Sequence, residues 1–118
     1  MILESQFVPY KYSKELADIG FNEFCLATFN DKEEIEVVSR LAMNIKGFPI
    51  CAPLWQQIFE WFLENHKIEV QILKYKDDSY FLSINGNYLV DDLDFKLIFK
   101  KSEVKIKALE ICLKRQKK

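Results

Sequence analysis

Glycine and proline are scarce in this sequence, with three of each in 118 residues. A loop-rich scaffold needs more of both, because these residues supply the backbone angles of tight turns. The glycines, Gly20, Gly47 and Gly86, are also scattered, so a glycine-rich loop that wraps phosphate with backbone amides has nowhere to form. Long apolar runs are missing too. No stretch approaches the ~20 residues that cross a bilayer, and residues 1–10 carry Glu4 without a basic start or a long apolar segment, unlike a secretory leader. Excess charge of one sign is absent: 17 basic residues stand against 18 acidic ones, a net charge of −1. A general nucleic-acid binder draws most of its affinity from a cationic face; this balance supplies no overall excess and leaves only local clustering. Cysteine is odd in number and dispersed, at Cys25, Cys51 and Cys112. Each has apolar neighbours, which suits buried thiols acting as small hydrophobes rather than a disulfide framework. These absences lead to the expectation of a cytoplasmic protein with no membrane segment.

What is present is core-forming material. Hydrophobic residues make up 49% of the chain and aromatic ones 14%, and a single domain over residues 1–118 is expected from the length. Residues 13–20 read as a short helix, with Ser13 as its N-cap, Leu16, Ala17 and Ile19 as an apolar face, and Gly20 taking a left-handed C-terminal conformation. Residues 24–29 read as a strand and Asn30-Asp31-Lys32 as a turn. Ile35 to Ser39 then favours a second strand; the rival is a helix over residues 31–44, and periodicity does not separate the two.

The firmest element is a helix over residues 52–66, with Pro53 at the first helical position. Leu54, Trp55, Ile58, Phe59 and Phe62 form its apolar stripe, widened by Trp61 and Leu63. This is more apolar surface than one sheet face covers, which marks Trp55, Trp61 and Leu63 as a candidate interaction surface. Ile68, Val70 and Ile72 alternate with Glu69 and Gln71, the pattern of a strand with one wet face. A second strand over 80–84 follows the turn Asp77-Asp78-Ser79, and Asn85-Gly86-Asn87 is another turn signal before Tyr88-Leu89-Val90. Asp91, Asp92 and Asp94 read as a solvated loop, and 95–99 as a short strand or a lead-in segment. A closing helix over 102–115 has Ser102 as cap, a stripe of Val104, Ala108, Ile111 and Cys112, and Leu109 at the margin. The expected fold is α+β, a small antiparallel sheet covered on one face by helices, in the order α-β-β-α-β-β-(β)-α. Strand order and oligomeric state stay open.

The search for chemistry assigns no catalytic, cofactor-binding or metal-binding residue. His66 stands at a helix end without ligands at a recognised spacing, where its imidazole suits the helix terminus. The aspartates at 91, 92 and 94 lack the central glycine and final glutamate of a calcium loop. Lys114, Arg115, Lys117 and Lys118 form a basic tail, either a candidate phosphate contact or an ordinary solvated end. Tyr75, Tyr80 and Tyr88 with scattered acids are the weakest option, a small enzymatic site.

Three segments carry a resemblance: Leu16-Ala-Asp-Ile-Gly-Phe-Asn-Glu-Phe-Cys25, Ala52-Pro-Leu-Trp-Gln-Gln-Ile-Phe-Glu-Trp-Phe62 and Ala108-Leu-Glu-Ile-Cys-Leu113. In that order they resemble a family of small uncharacterised proteins from Bacteroidetes genomes, many carried by prophages and other mobile elements. Ile19, Ile58 and Ile111 replace leucine or alanine of the family pattern, and Arg115 and Gln116 fall where the family continues apolar. The resemblance implies origin and related fold; it brings no catalytic residues. The expectation is therefore a non-enzymatic accessory protein of a phage or mobile element, without cofactor, acting by protein–protein interaction with an unknown partner or a second copy of itself. The alternative is a nucleic-acid-binding accessory protein that uses the basic tail.

Overall fold

The computed structural model describes residues 4–44 and 49–116. The fold is α+β as expected, but with two small antiparallel sheets instead of one. The chain divides into two compact units, Met1–Ile58 and Phe59–Lys118.

The first unit opens with a 3-10 turn over Glu4–Gln6 and helix α1, Tyr10–Asp18. Helix α1 starts a turn earlier than the sequence suggests. Pro9 is its N-cap, without a side-chain cap, while the buried Ser13 hydroxyl donates to the Val8 carbonyl at 3.0 Å. The C-terminus follows expectation. Gly20 sits at φ 98°, its amide donates to the Ala17 carbonyl, and the Phe21 amide donates back to the Leu16 carbonyl at 3.0 Å. This is the paired-bond helix end that favours glycine, and it buries Phe21 and Leu16.

Strands β1, Cys25–Phe29, β2, Ile35–Ala42, and β3, Cys51–Ala52, make a sheet in the order β2-β1-β3. The strand reading of β2 therefore holds over the helical rival. Its hairpin is closed by Asn30, whose Oδ1 accepts the Lys32 and Glu34 amides at 2.8 and 3.0 Å. Alternation along β1 turns Cys25, Ala27 and Phe29 inward. Phe7, Ala27, Phe29 and Ala52 form a buried cluster, joined by Tyr10, Ile35, Ile50 and Leu54.

Helix α2, Trp55–His66, contains the division between the units. It begins later than expected because Ala52 is drawn into β3 opposite Ala27, which leaves Pro53 ahead of the helix. The Leu54 carbonyl accepts the first helical bond, from the Ile58 amide. Gln57 Oε1 accepts the Leu54 amide at 3.4 Å, the return half of a capping box. Trp55, Ile58, Trp61 and Phe62 are buried, and Leu63 is exposed.

The second unit adds β4, Val70–Lys76, β5, Ser79–Ile84, and β6, Asn87–Tyr88, in the order β4-β5-β6. Asn85 and Gly86 have φ of 53° and 82°, and Ile84 pairs with Asn87 across them. Two left-handed residues in a row give the turn whose twist matches a hairpin. Residues 95–99 run extended, bridging Val90 to Lys96 and Tyr80 to Phe99. Helix α3, Lys101–Gln116, packs on β5 and β4. Ser102 is not its cap. Lys100 takes that place through the Glu103 and Val104 amides, and Asp78, in the β4–β5 turn, accepts the Lys101 amide at 2.9 Å. The buried stripe is Val104, Ala108, Leu109, Cys112 and Leu113; Ile111 moves to the margin. Among the described residues, no helix is long and apolar enough to cross a membrane.

All three cysteines are free and buried. Burial, reinforced by neighbouring Cys51, pushes the Cys25 thiol up to about 12. Burial does the same to Cys112, against a small opposing pull from Arg115, and raises Cys51. Thiolate is the reactive form, so native Cys25 and Cys112 should react with a thiol reagent at pH 8 roughly a thousandfold more slowly than in denaturant. Equal rates in the two conditions would contradict this burial. Above the ordinary thiol value of 9.0, the unfolded chain loses protons that the folded chain keeps. Stability should therefore fall as pH rises through that point.

Candidate functional site

The residues proposed from sequence differ in exposure. Trp55 and Trp61 are 7% and 5% exposed, so both belong to the core and not to an outer surface. Trp61 stacks edge-on with Phe62 and His66, at 5.1 and 4.8 Å between ring centres. Their size favours this outcome, since burying each stabilises by about 1.5–3 kcal/mol. Only Leu63, at 44% exposure, remains at the surface. His66 packs against Trp61 and Phe62. Lys114 and Arg115 are exposed in the last turn of α3; Lys117 and Lys118 lie outside the described residues.

The aspartate loop is a folded turn. Asp91 Oδ1 accepts the Leu93 and Phe95 amides at 2.9 and 3.0 Å, and the Asp91 amide donates to the Phe95 carbonyl at 2.8 Å. It holds Leu93 and Phe95 outward, at 76% and 67% exposure. Among the described residues, no three His, Cys, Asp or Glu side chains gather as metal ligands would.

A different group of residues does come together. Register fixes which side chains share a face of the second sheet, because pairs directly opposite point the same way and neighbours alternate. Leu73 of β4 is opposite Phe81 of β5. The Phe81 ring lies 4.8 Å from Tyr75 and 6.2 Å from Tyr88, centre to centre. Lys96 arches over this group, with Nζ 4.0 Å from the Tyr88 ring centre and 5.2 Å from that of Phe81. Lys76 Nζ stands 5.2 Å from the Tyr75 ring. Val90 is bridged to Lys96, and Ile98 follows two residues on. The other face carries Leu82 and Ile84, which are buried, on the strands that pack against α3. Tyr80, adjacent to Phe81, alternates onto that side and leaves the tyrosine set of the sequence reading.

The result is a sheet face with Leu73, Tyr75, Tyr88, Val90 and Ile98 at 38%, 49%, 37%, 43% and 57% exposure, around a half-buried Phe81. Such side chains normally scatter singly over a surface. Here cross-strand pairing collects them, and two lysines place cations against the rings. The face offers apolar contact, ring stacking and a few ammonium donors.

Searches of family models, of curated proteins and of solved structures return no match to this chain.

Proposed function

We propose that this is a non-enzymatic accessory protein that works by holding another protein against the Tyr75–Phe81–Tyr88 face. The single observation behind this reading is that face itself, apolar, ring-bearing and open on a sheet whose reverse side packs on α3. Tyrosine is among the residues that concentrate binding energy in protein interfaces and phenylalanine is enriched there, and the aliphatic rim of Leu73, Val90 and Ile98 suits a protein better than a polyanion. The contact surface inferred from sequence moves from Trp55 and Trp61 to this face, while the mode of action stays the same. A cytoplasmic setting and an origin in a phage or mobile element of Bacteroidetes belong to the same proposal, and rest on the resemblance of residues 16–25, 52–62 and 108–113 to that family.

One observation favours a second reading. Lys96 and Lys76 lie against rings, an arrangement that also serves single-stranded nucleic acid, through base stacking and phosphate attraction. Capture on the immobilised full chain separates the two. A protein partner should survive nuclease treatment and bind the Tyr88→Ala variant at least tenfold more weakly, the ~1.4 kcal/mol expected of an interface anchor. Substituting Lys114 and Arg115 should leave capture unchanged. Loss of the captured material on nuclease treatment supports the second reading, and equal capture by wild type and Tyr88→Ala rejects both.

A further inference from the structure

Among the described residues, the outer edge of β4 has no strand beside it, since β4 is the first strand in the order β4-β5-β6 and pairs there with β5 alone. We infer that this edge joins two copies of the chain, β4 against β4, into one continuous six-stranded antiparallel sheet. The inference goes beyond the identity of any other partner and does not require one.

Exposed edges are normally blunted by proline, lysine, a bulge, shortness or a covering segment; in β4 the lysines, Lys74 and Lys76, and the bulge are confined to the C-terminal end. Strand β4 has seven residues and no proline. Its register shift against β5 falls at Lys74–Lys76, at the end of the strand. Gln71, Leu73, Lys74, Tyr75 and Lys76 are all exposed.

The occupant is chosen by self-complementarity. An antiparallel strand pairs with itself about a two-fold axis, the usual symmetry of a protein dimer. Only an axis at Leu73, the midpoint of Val70–Lys76, pairs the full length. Leu73 then meets Leu73 of the second copy, and Gln71 meets Tyr75. On the other side Lys74 meets Ile72, and Lys76 meets Val70. No like charges stand directly opposite, an arrangement that would destabilise a ladder. Moving the axis to Lys74 sets that lysine against itself; moving it to Ile72 leaves both Tyr75 and Lys76 beyond the overlap, and moving it to Gln71 leaves Leu73 to Lys76 beyond it. The preferred register also carries Leu73 and Tyr75 from the rim of an apolar face to its centre, so that both copies' rings share one surface. An interface of one strand from each copy is small beside the ~800 Å² per partner of stable complexes. A reversible, concentration-dependent dimer is therefore expected.

Sedimentation velocity on the full chain, over a dilution series, tests this. Mass should rise from 14.0 kDa toward twice that value as concentration increases, and stop there. Leu73→Lys and Leu73→Glu should each stay monomeric, because each sets like charges on the axis. An equimolar mixture of the two should recover the dimer, which also shows that both variants fold. A wild-type chain that stays monomeric throughout, growth beyond the dimer, a dimer indifferent to both substitutions, or no recovery on mixing would each overturn the inference.

Discussion

Replacing Phe62 with alanine should lower stability by about 3–5 kcal/mol, read as a shift in the urea unfolding midpoint. Phe62 is fully buried, on the inner side of α2. Its ring lies 5.1 Å from that of Trp61 and 5.7 Å from that of His66, centre to centre. The Phe62 carbonyl also accepts the Ile68 amide at 3.2 Å, where the chain leaves the helix for β4. Truncation removes the transfer energy of the ring and opens a cavity between groups that are themselves large and rigid, so little collapse can offset it. The neighbouring Leu63→Ala is the internal control. At 44% exposure it should change stability by no more than about 0.5 kcal/mol. Similar losses at both positions would mean that the buried side of α2 is misplaced.

Asn44→Ala should cost about 2–4 kcal/mol by the same measurement, although it removes only a small polar side chain. Asn44 Nδ2 donates to the Phe21 carbonyl at 2.9 Å, and its Oδ1 accepts the Cys51 amide at 2.9 Å. One side chain thus ties the end of the α1 turn to the start of β3. Phe21 and Cys51 are 1% and 0% exposed. Alanine would leave a buried carbonyl and a buried amide without partners, each costing about 1–3 kcal/mol. Asn44→Asp keeps the acceptor for Cys51 but sets a second acceptor oxygen against the Phe21 carbonyl, so it should not restore the stability that alanine loses. An alanine variant as stable as wild type would show that water replaces both bonds.

How far the sequence discloses this protein depends on how local each determinant is. The Gly20 helix end and the Asn85-Gly86 turn were legible because each is decided within a few residues by a positive φ. The starts of α2 and α3 were not, because distant segments decide them. Ala52 leaves the expected helix to pair with Ala27, and the first amide of α3 is capped by Asp78 from another turn. Nothing beside Asn44 in the chain marks it as a tie between Phe21 and Cys51. Trp61 and Leu63 flank the same stripe, and helical spacing alone does not say which margin is buried.

The aromatic face was half-legible. Alternation of Ile68, Val70 and Ile72 with Glu69 and Gln71 correctly implies a strand, but it suggests a wet outer face. Farther along β4 the outward positions are Leu73 and Tyr75, and the face turns apolar. The signal that would find it is register. A two-residue turn at Asn85-Gly86 pairs Ile84 with Asn87 and Ser83 with Tyr88, which sets Tyr88 and Phe81 on one side by alternation. The β4 pairing then adds Leu73 and Tyr75. Because the aromatic surplus is spent on a core and on this face separately, the tryptophans and the tyrosines take different roles.

Hydroxyl-radical footprinting of the full chain, free and with its captured partner, is the most direct measurement of this division. The account predicts that Tyr75, Tyr88 and Ile98 are reactive in the free protein and protected in the complex, while Trp55 and Trp61 are unreactive in both and Phe24 and Leu26 stay reactive throughout. Reactive tryptophans in the free protein, or protection confined to Phe24 and Leu26, would contradict it.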